Sequence, residues 1–90
     1  MGLAEKGQGH RVIDEGIVFK GGKLPVNPSG GLKSKGHPVG ATGVSMHAIS
    51  CMQLMEEACD MQIEGAKLAG VFNMGGSSVA NYVSILERLR

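Results

Sequence analysis

A long glycine-rich stretch near the middle of the chain limits what the chain can fold into. Residues 27–43 read NPSGGLKSKGHPVGATG and show neither helical nor strand periodicity. Loops of this length inside compact domains usually carry function or are disordered. Regular elements are therefore expected only before and after it, and a second glycine-rich loop at Gly75 and Gly76 divides the C-terminal part again.

The segments around these loops predict an α/β fold. Residues 2–6 are expected to end a helix, and RVIDEGIVF and KLPVN to form an extended excursion or irregular hairpin around residues 21–22. From near Pro38 to Asp60 the apolar spacing predicts an amphipathic helix packed on a small mixed sheet. KLAGVFNM and SVANYVSILERL, joined by GGS, predict a C-terminal antiparallel hairpin.

One face of this helix is predicted to be buried. Its members are Val44, Ala48, Cys51, Met52, Met55, Ala58 and Cys59. Polar residues, Gln53 among them, fall on the opposite face. The two cysteines share one periodic segment, so we predict small core residues in a reducing compartment rather than a disulfide.

The composition predicts a small core. Ninety residues with fifteen glycines, no Trp, one Tyr and two Phe leave few large side chains to bury. Residues 1–90 are therefore predicted to be a single fragment of a larger fold. Uncovered apolar surface in such a fragment favours self-association, and a homo-oligomer is the expected state of the chain alone.

The charge pattern excludes some classes of partner. The net charge is +1 and the basic residues are scattered, so neither nucleic acid nor an acidic membrane is an expected partner. No apolar run reaches membrane length and nothing at the N-terminus resembles a signal peptide, which predicts a cytoplasmic protein.

His37 is the candidate catalytic side chain of the long loop. With Pro38 as the first helical residue, His37 would lie directly ahead of the helix, whose N-terminal partial charge favours a neutral imidazole. A neutral imidazole accepts a proton from a nucleophile or donates a hydrogen bond to an oxyanion. The alternative from local chemistry is a loop histidine that caps the helix.

Other motifs are weaker. The stretch from Gly31 to Gly36 has the glycine spacing of a phosphate-binding loop, but His37 and Pro38 stand where that loop requires Lys and Ser or Thr. His47 and Cys51 supply only two metal ligands, so no metal site is predicted. Ser77 and Ser78 lack the surroundings of a serine nucleophile and are predicted to be turn residues.

NPSGGLKSKGHPVGATG, with KLPVN before it and FNMGGSSVANYVSILERL after it, closely resembles the C-terminal portion of the thiolases. The resemblance implies acyl transfer between a thioester and coenzyme A, in the thiolytic or condensing direction, with acyl-CoA as substrate and no tightly bound cofactor. His37 matches the family histidine that activates a cysteine nucleophile and helps to form an oxyanion hole. Gly75 matches a glycine whose N–H contributes to a second oxyanion hole, and Gly36 and Pro38 are expected to contact coenzyme A.

The resemblance also implies two differences from a complete thiolase. The nucleophilic cysteine of the family has no counterpart here, so the chain alone is expected to be inactive without an N-terminal half. Asn73 stands where most thiolases have a second cysteine, and an amide does not transfer protons near neutral pH. Thiolases related to sterol carrier proteins lack that cysteine too, which points to their branch. The alternative function is a non-catalytic module that self-associates or binds coenzyme A or lipid.

Overall fold

The computed structural model describes residues 2–89, which divide into two compact units. The first unit ends at Lys33 and the second begins at Ser34, within the long glycine-rich loop. The prediction of a single domain over residues 1–90 stays a prediction. Within residues 2–89, no helix is long and apolar enough to cross a bilayer. The cytoplasmic location stays a prediction.

The first unit contains a short helix, α1 (His10–Asp14), where the sequence predicted an extended excursion or irregular hairpin. The prediction was wrong for these five residues, although an irregular hairpin follows them. The Arg11 guanidinium donates to the Glu15 carboxylate at 3.0 Å, an i,i+4 pair that supports a helix, and Val12 is buried beneath it. Residues 2–6, predicted to end a helix, instead form bends and turns.

After α1 the chain folds back on itself as an irregular hairpin. Leu24 N–H donates to the Ile17 carbonyl at 3.0 Å and Val26 N–H donates to the Val18 carbonyl at 2.9 Å. Pro25 lies between the two donors and has no N–H, so a regular ladder does not form there. Neither arm is a β-strand.

The second unit is built on α2 (Thr42–Leu54). The sequence predicted that this helix begins near Pro38. That prediction was wrong, because the helix begins four residues later, at Thr42. Gly40 has a φ of +80°, a left-handed conformation that a right-handed helix does not contain. Residues 27–37 contain no helix or strand, as the sequence predicted, and residues 38–41 extend that loop.

α2 also ends earlier than predicted, at Leu54 rather than Asp60. The chain turns at Glu56, whose φ is +61°, and Glu57 N–H donates to the Met52 carbonyl at 2.9 Å. A left-handed residue followed by a hydrogen bond that spans five residues is a Schellman motif, which gives partners to carbonyl groups at the end of the helix.

The predicted buried face of α2 was wrong for most of its members. Val44 is 70% exposed and Met55 is 61% exposed, and both cysteines are exposed free thiols. Ala58 alone of that set is buried. The buried residues of α2 are Thr42, Gln53 and Leu54, so two polar side chains lie on its covered side.

Gln53 is buried because backbone groups satisfy its amide. Its Nε2 donates to the Met61 carbonyl at 2.6 Å, at the end of the 3₁₀ turn Cys59–Met61, and its Oε1 accepts from Ile63 N–H at 2.8 Å. Gln62 Nε2 in turn donates to the Gln53 carbonyl at 2.8 Å. An amide whose oxygen and nitrogen both have hydrogen-bond partners can be buried at little cost, whereas the sequence pattern classed Gln53 as an exposed polar residue.

Replacing Gln53 tests this network. Gln53→Met keeps the size of the side chain but leaves Ile63 N–H and the Met61 carbonyl without their partner, so we expect a loss of about 1–3 kcal/mol in the free energy of unfolding. The exposed control Glu57→Met is expected to change that free energy by about 0.5 kcal/mol or less. Urea unfolding, monitored by the circular dichroism signal of the helices, measures both changes. Equal losses of unfolding free energy in the two variants would contradict a stabilising role of the Gln53 hydrogen bonds.

Two strands complete the second unit. β1 (Leu68–Gly75) pairs antiparallel with β2 (Ala80–Glu87), so that Leu68 faces Glu87 and Gly75 faces Ala80. α2 packs mainly on β1, where Val71 is buried. The predicted α/β fragment, with a helix on a sheet and a C-terminal hairpin, is confirmed; within residues 2–89 the sheet has these two strands.

Candidate active site

His37 lies in the loop that leads into α2, and its side chain is tied to the first residue of that helix. Its Nδ1 is 2.5 Å from Thr42 Oγ1. His37 itself is exposed, whereas Thr42 is only 8% exposed. One edge of the imidazole is therefore anchored to the helix, and the ring remains open to solvent.

A turn between His37 and α2 produces this contact. The Pro38 carbonyl accepts from Ala41 N–H at 3.2 Å and from Thr42 N–H at 3.3 Å. The turn places His37 five residues ahead of the helix instead of next to it. The imidazole nevertheless lies beside Thr42, the first helical residue, so the expected influence of the helix dipole on it stays a prediction.

Gly36 and Pro38, the predicted coenzyme A contacts, flank His37 and are both exposed. Gly36 has a φ of +91°, a conformation that side-chain-bearing residues rarely adopt. No atom lies within 4 Å of the place where a β-carbon would stand on Gly36. The backbone beside His37 is thus open to a ligand.

Asn73 lies against the first turn of the same helix. A β-carbon built on Gly43 would be 2.9 Å from Asn73 Nδ2, so the amide occupies the space that glycine leaves there. Asn73 and His37 therefore approach neighbouring residues of α2, Gly43 and Thr42. Gly75 follows two residues later, at the end of β1.

This close approach can be measured with a double-mutant cycle. In an Asn73→Ala background we expect Gly43→Ala to stabilise the fold by up to about 1 kcal/mol, because alanine favours a helix over glycine. With Asn73 present the stabilisation should be smaller, because the added methyl group forces the Asn73 amide to move. Equal stabilisation in the two backgrounds, measured by urea unfolding, would show that the two residues do not contact each other.

His47 and Ser84 form a pair that the sequence analysis missed. His47 Nδ1 lies 2.7 Å from the Gly43 carbonyl, and its Nε2 lies 2.9 Å from Ser84 Oγ. Because a carbonyl only accepts, Nδ1 carries a proton, and in the neutral imidazole Nε2 then accepts from the serine hydroxyl. The pair links α2 to β2. A partner from a distant strand leaves no signal in the local sequence.

Metal binding by His47 and Cys51 finds no support in this arrangement. Both ring nitrogens of His47 already have partners within the protein. Among residues 2–89, no three His, Cys, Asp or Glu side chains are close enough together to hold a metal ion.

An open cleft of about 600 Å³ lies at the other end of α2. Its walls come from the last turn of α2, among them Cys51, Leu54 and Met55, and from the end of β2 with Leu86 and Arg88. His37 does not line it, so the cleft and the His37 loop are separate features of the second unit.

Comparison with known proteins gives a consistent picture. The family described as "Thiolase C-terminal domain-like" matches residues 1–88. An acetyl-CoA acetyltransferase of Methanothermobacter thermautotrophicus is 44% identical over 88 residues, which are 98% of this chain and 23% of that protein. Human sterol carrier protein 2 is 51% identical over 75 residues, which are 83% of this chain and 14% of that protein.

A benzoylsuccinyl-CoA thiolase subunit of Thauera aromatica is 39% identical over 64 residues, covering 71% of this chain and 17% of that protein. The chain thus spans about a quarter or less of the length of these curated relatives. The predicted likeness to the C-terminal portion of the thiolases, including those related to sterol carrier proteins, is confirmed.

Proposed function

We propose that this chain, which belongs to the thiolase family through its C-terminal domain, supplies the histidine of an acyl-transfer site that acts on coenzyme A thioesters. The observation that carries the proposal is the anchored imidazole: His37 is held by Thr42 at 2.5 Å while its ring faces solvent. The printed names of the relatives support the substrate class, since one is an acetyl-CoA acetyltransferase. The reaction runs in the thiolytic or condensing direction.

Each residue has a separate role in the proposed reaction. His37 accepts a proton from a cysteine thiol supplied from outside these residues, and the resulting imidazolium donates a hydrogen bond to the thioester oxygen. The Gly75 N–H donates to the oxyanion that forms at the acyl-enzyme. Gly36 and Pro38 contact coenzyme A, which is a substrate and not a tightly bound cofactor.

Asn73 is a polar neighbour in this proposal and not an acid or base. An amide neither gains nor loses a proton near neutral pH. Its Nδ2 instead lies against Gly43 in the first turn of α2, next to the residue that holds His37. Proton transfer at the substrate carbon must then come from another group outside these residues.

Replacement of the matching segment in a relative tests the proposal. The chain is placed in the Methanothermobacter acetyltransferase in exchange for the 88 residues that it matches. We expect this hybrid enzyme to cleave acetoacetyl-CoA with coenzyme A, which is measured as a decrease in the absorbance of acetoacetyl-CoA. The 90-residue chain alone is expected to show no turnover. A folded but inactive hybrid, or turnover by the chain alone, would contradict the proposal.

The exposed apolar surface of the second unit favours a second candidate, a non-catalytic module that self-associates. Val39 and Val79 are almost fully exposed, and Tyr82 is 72% exposed. Apolar surface of this kind is typical of interfaces between subunits. Light scattering at high concentration measures the mass, and a well-folded monomer would exclude this candidate.

A further inference from the structure

Thr42 has two hydrogen-bonding neighbours for its hydroxyl. Its Oγ1 lies 2.5 Å from His37 Nδ1 and 3.3 Å from the Pro38 carbonyl. The residue is buried, so its hydroxyl depends on these protein partners more than on solvent. The same hydroxyl therefore lies between a ring nitrogen, which donates or accepts, and a carbonyl oxygen, which only accepts.

The hydroxyl has a single proton, and this limits how both contacts can form together. The carbonyl cannot donate, so a bond between Thr42 and Pro38 uses the hydroxyl proton. Oγ1 can then only accept from His37, which requires the proton of a neutral imidazole to be on Nδ1. The opposite arrangement, in which the hydroxyl donates to Nδ1, gives up the bond to the Pro38 carbonyl.

We propose that Thr42 is a positioning residue that holds His37 in the tautomer with its proton on Nδ1, which leaves the lone pair on Nε2. The consequence for catalysis rests on the proposed function. The S–H bond of the nucleophile breaks, its proton moves to Nε2, and the electron pair stays on sulfur. Nε2–H then points towards the substrate, so one ring atom serves first as base and then as oxyanion donor.

The two other histidines serve as references in the same molecule. His47 has its proton on Nδ1, because its neighbour there is the Gly43 carbonyl. His10 is exposed at the start of α1 in the first unit. A spectrum of all three side chains thus contains His47 as the reference for a fixed tautomer, His10 as the reference for a solvent-exposed ring, and His37 as the ring to be assigned.

The test is nuclear magnetic resonance of the 90-residue chain labelled with ¹⁵N histidine, at a pH where the imidazoles are neutral. Long-range ¹H–¹⁵N correlations distinguish a protonated ring nitrogen from one that carries a lone pair. We expect His37 to show the same pattern as His47, with the proton on Nδ1. Thr42→Ser should keep that pattern, whereas Thr42→Val should shift His37 towards the pattern of His10 and leave His47 unchanged.

Two results would overturn the proposal. One is a wild-type His37 with its proton on Nε2, which needs no variant to detect. The other is a Thr42→Val protein in which His37 stays protonated on Nδ1 while His47 shows an intact fold. If valine disturbs His47 as well, Thr42→Ala is judged by the same criterion. These spectra do not depend on turnover, so a failure of the tautomer proposal is distinct from a failure of the hybrid enzyme.

Discussion

His37→Ala in the hybrid acetyltransferase is expected to lower the rate of acetoacetyl-CoA thiolysis by about 10²–10⁴-fold, the usual contribution of a positioned general acid or base. The substitution removes the imidazole ring that Thr42 holds by a hydrogen bond. It removes little buried surface, because His37 is exposed, so we expect the free energy of unfolding to change by about 0.5 kcal/mol or less. Initial rates at saturating substrate measure the effect.

The matched control for this prediction is His10→Ala, another exposed histidine, which lies in the first unit. It should leave the rate of thiolysis unchanged. Cys51→Ser and Cys59→Ser should also leave it unchanged, since the proposal places the nucleophile outside these residues. An unchanged rate in His37→Ala, or a rate abolished by either serine substitution, would contradict the assignment of His37.

Gly22→Ala is expected to disrupt the irregular hairpin of the first unit, at a cost of about 3 kcal/mol. A β-carbon at this position would overlap the carbonyl oxygens of Gly16 and Ile17. Both are backbone atoms, so no side-chain rotation relieves the clash, and the Ile17 carbonyl also accepts from Leu24 N–H. Overpacking that moves backbone costs about 1–3 kcal/mol and sometimes more.

Hydrogen exchange at the amides of Leu24 and Val26 measures this loss, because both donate across the hairpin. Gly21→Ala is the control: no atom lies within 4 Å of its added methyl group. We expect Gly21→Ala to be neutral or to stabilise by about 0.4–1 kcal/mol through the unfolded chain. Equal protection of the two amides in both variants would refute the clash at Gly22.

The C-terminal hairpin could be predicted from the sequence because its signals are local. Apolar and β-branched residues on either side of Gly75 and Gly76 predicted both strands, and the glycine pair predicted the turn between them. The helix α1 could not be predicted in the same way. Five residues are too few for periodicity to appear, and the Arg11–Glu15 pair was the one local signal for a helix.

The buried face of α2 and the role of Thr42 lay beyond the sequence for a different reason. Gln53 is buried because carbonyl and N–H groups 8 and 10 residues further on bond to its amide. Thr42 meets His37 because Gly40 takes a left-handed turn between them. Both facts depend on the path of a loop, which residue type alone does not determine. His37 itself could be singled out, since its motif is contiguous.

The outward side of α2 has a consequence for the protein in which this chain functions. Its apolar residues Val44, Met52 and Met55 point away from the strand that covers the opposite side. Large apolar side chains exposed on the side of a helix that its own sheet does not cover are typical of a surface to which another part of a protein binds. We therefore expect α2 to lie between two layers, with the sheet on one side and further protein on the other. The histidine held by Thr42 would then lie where α2 meets that further protein.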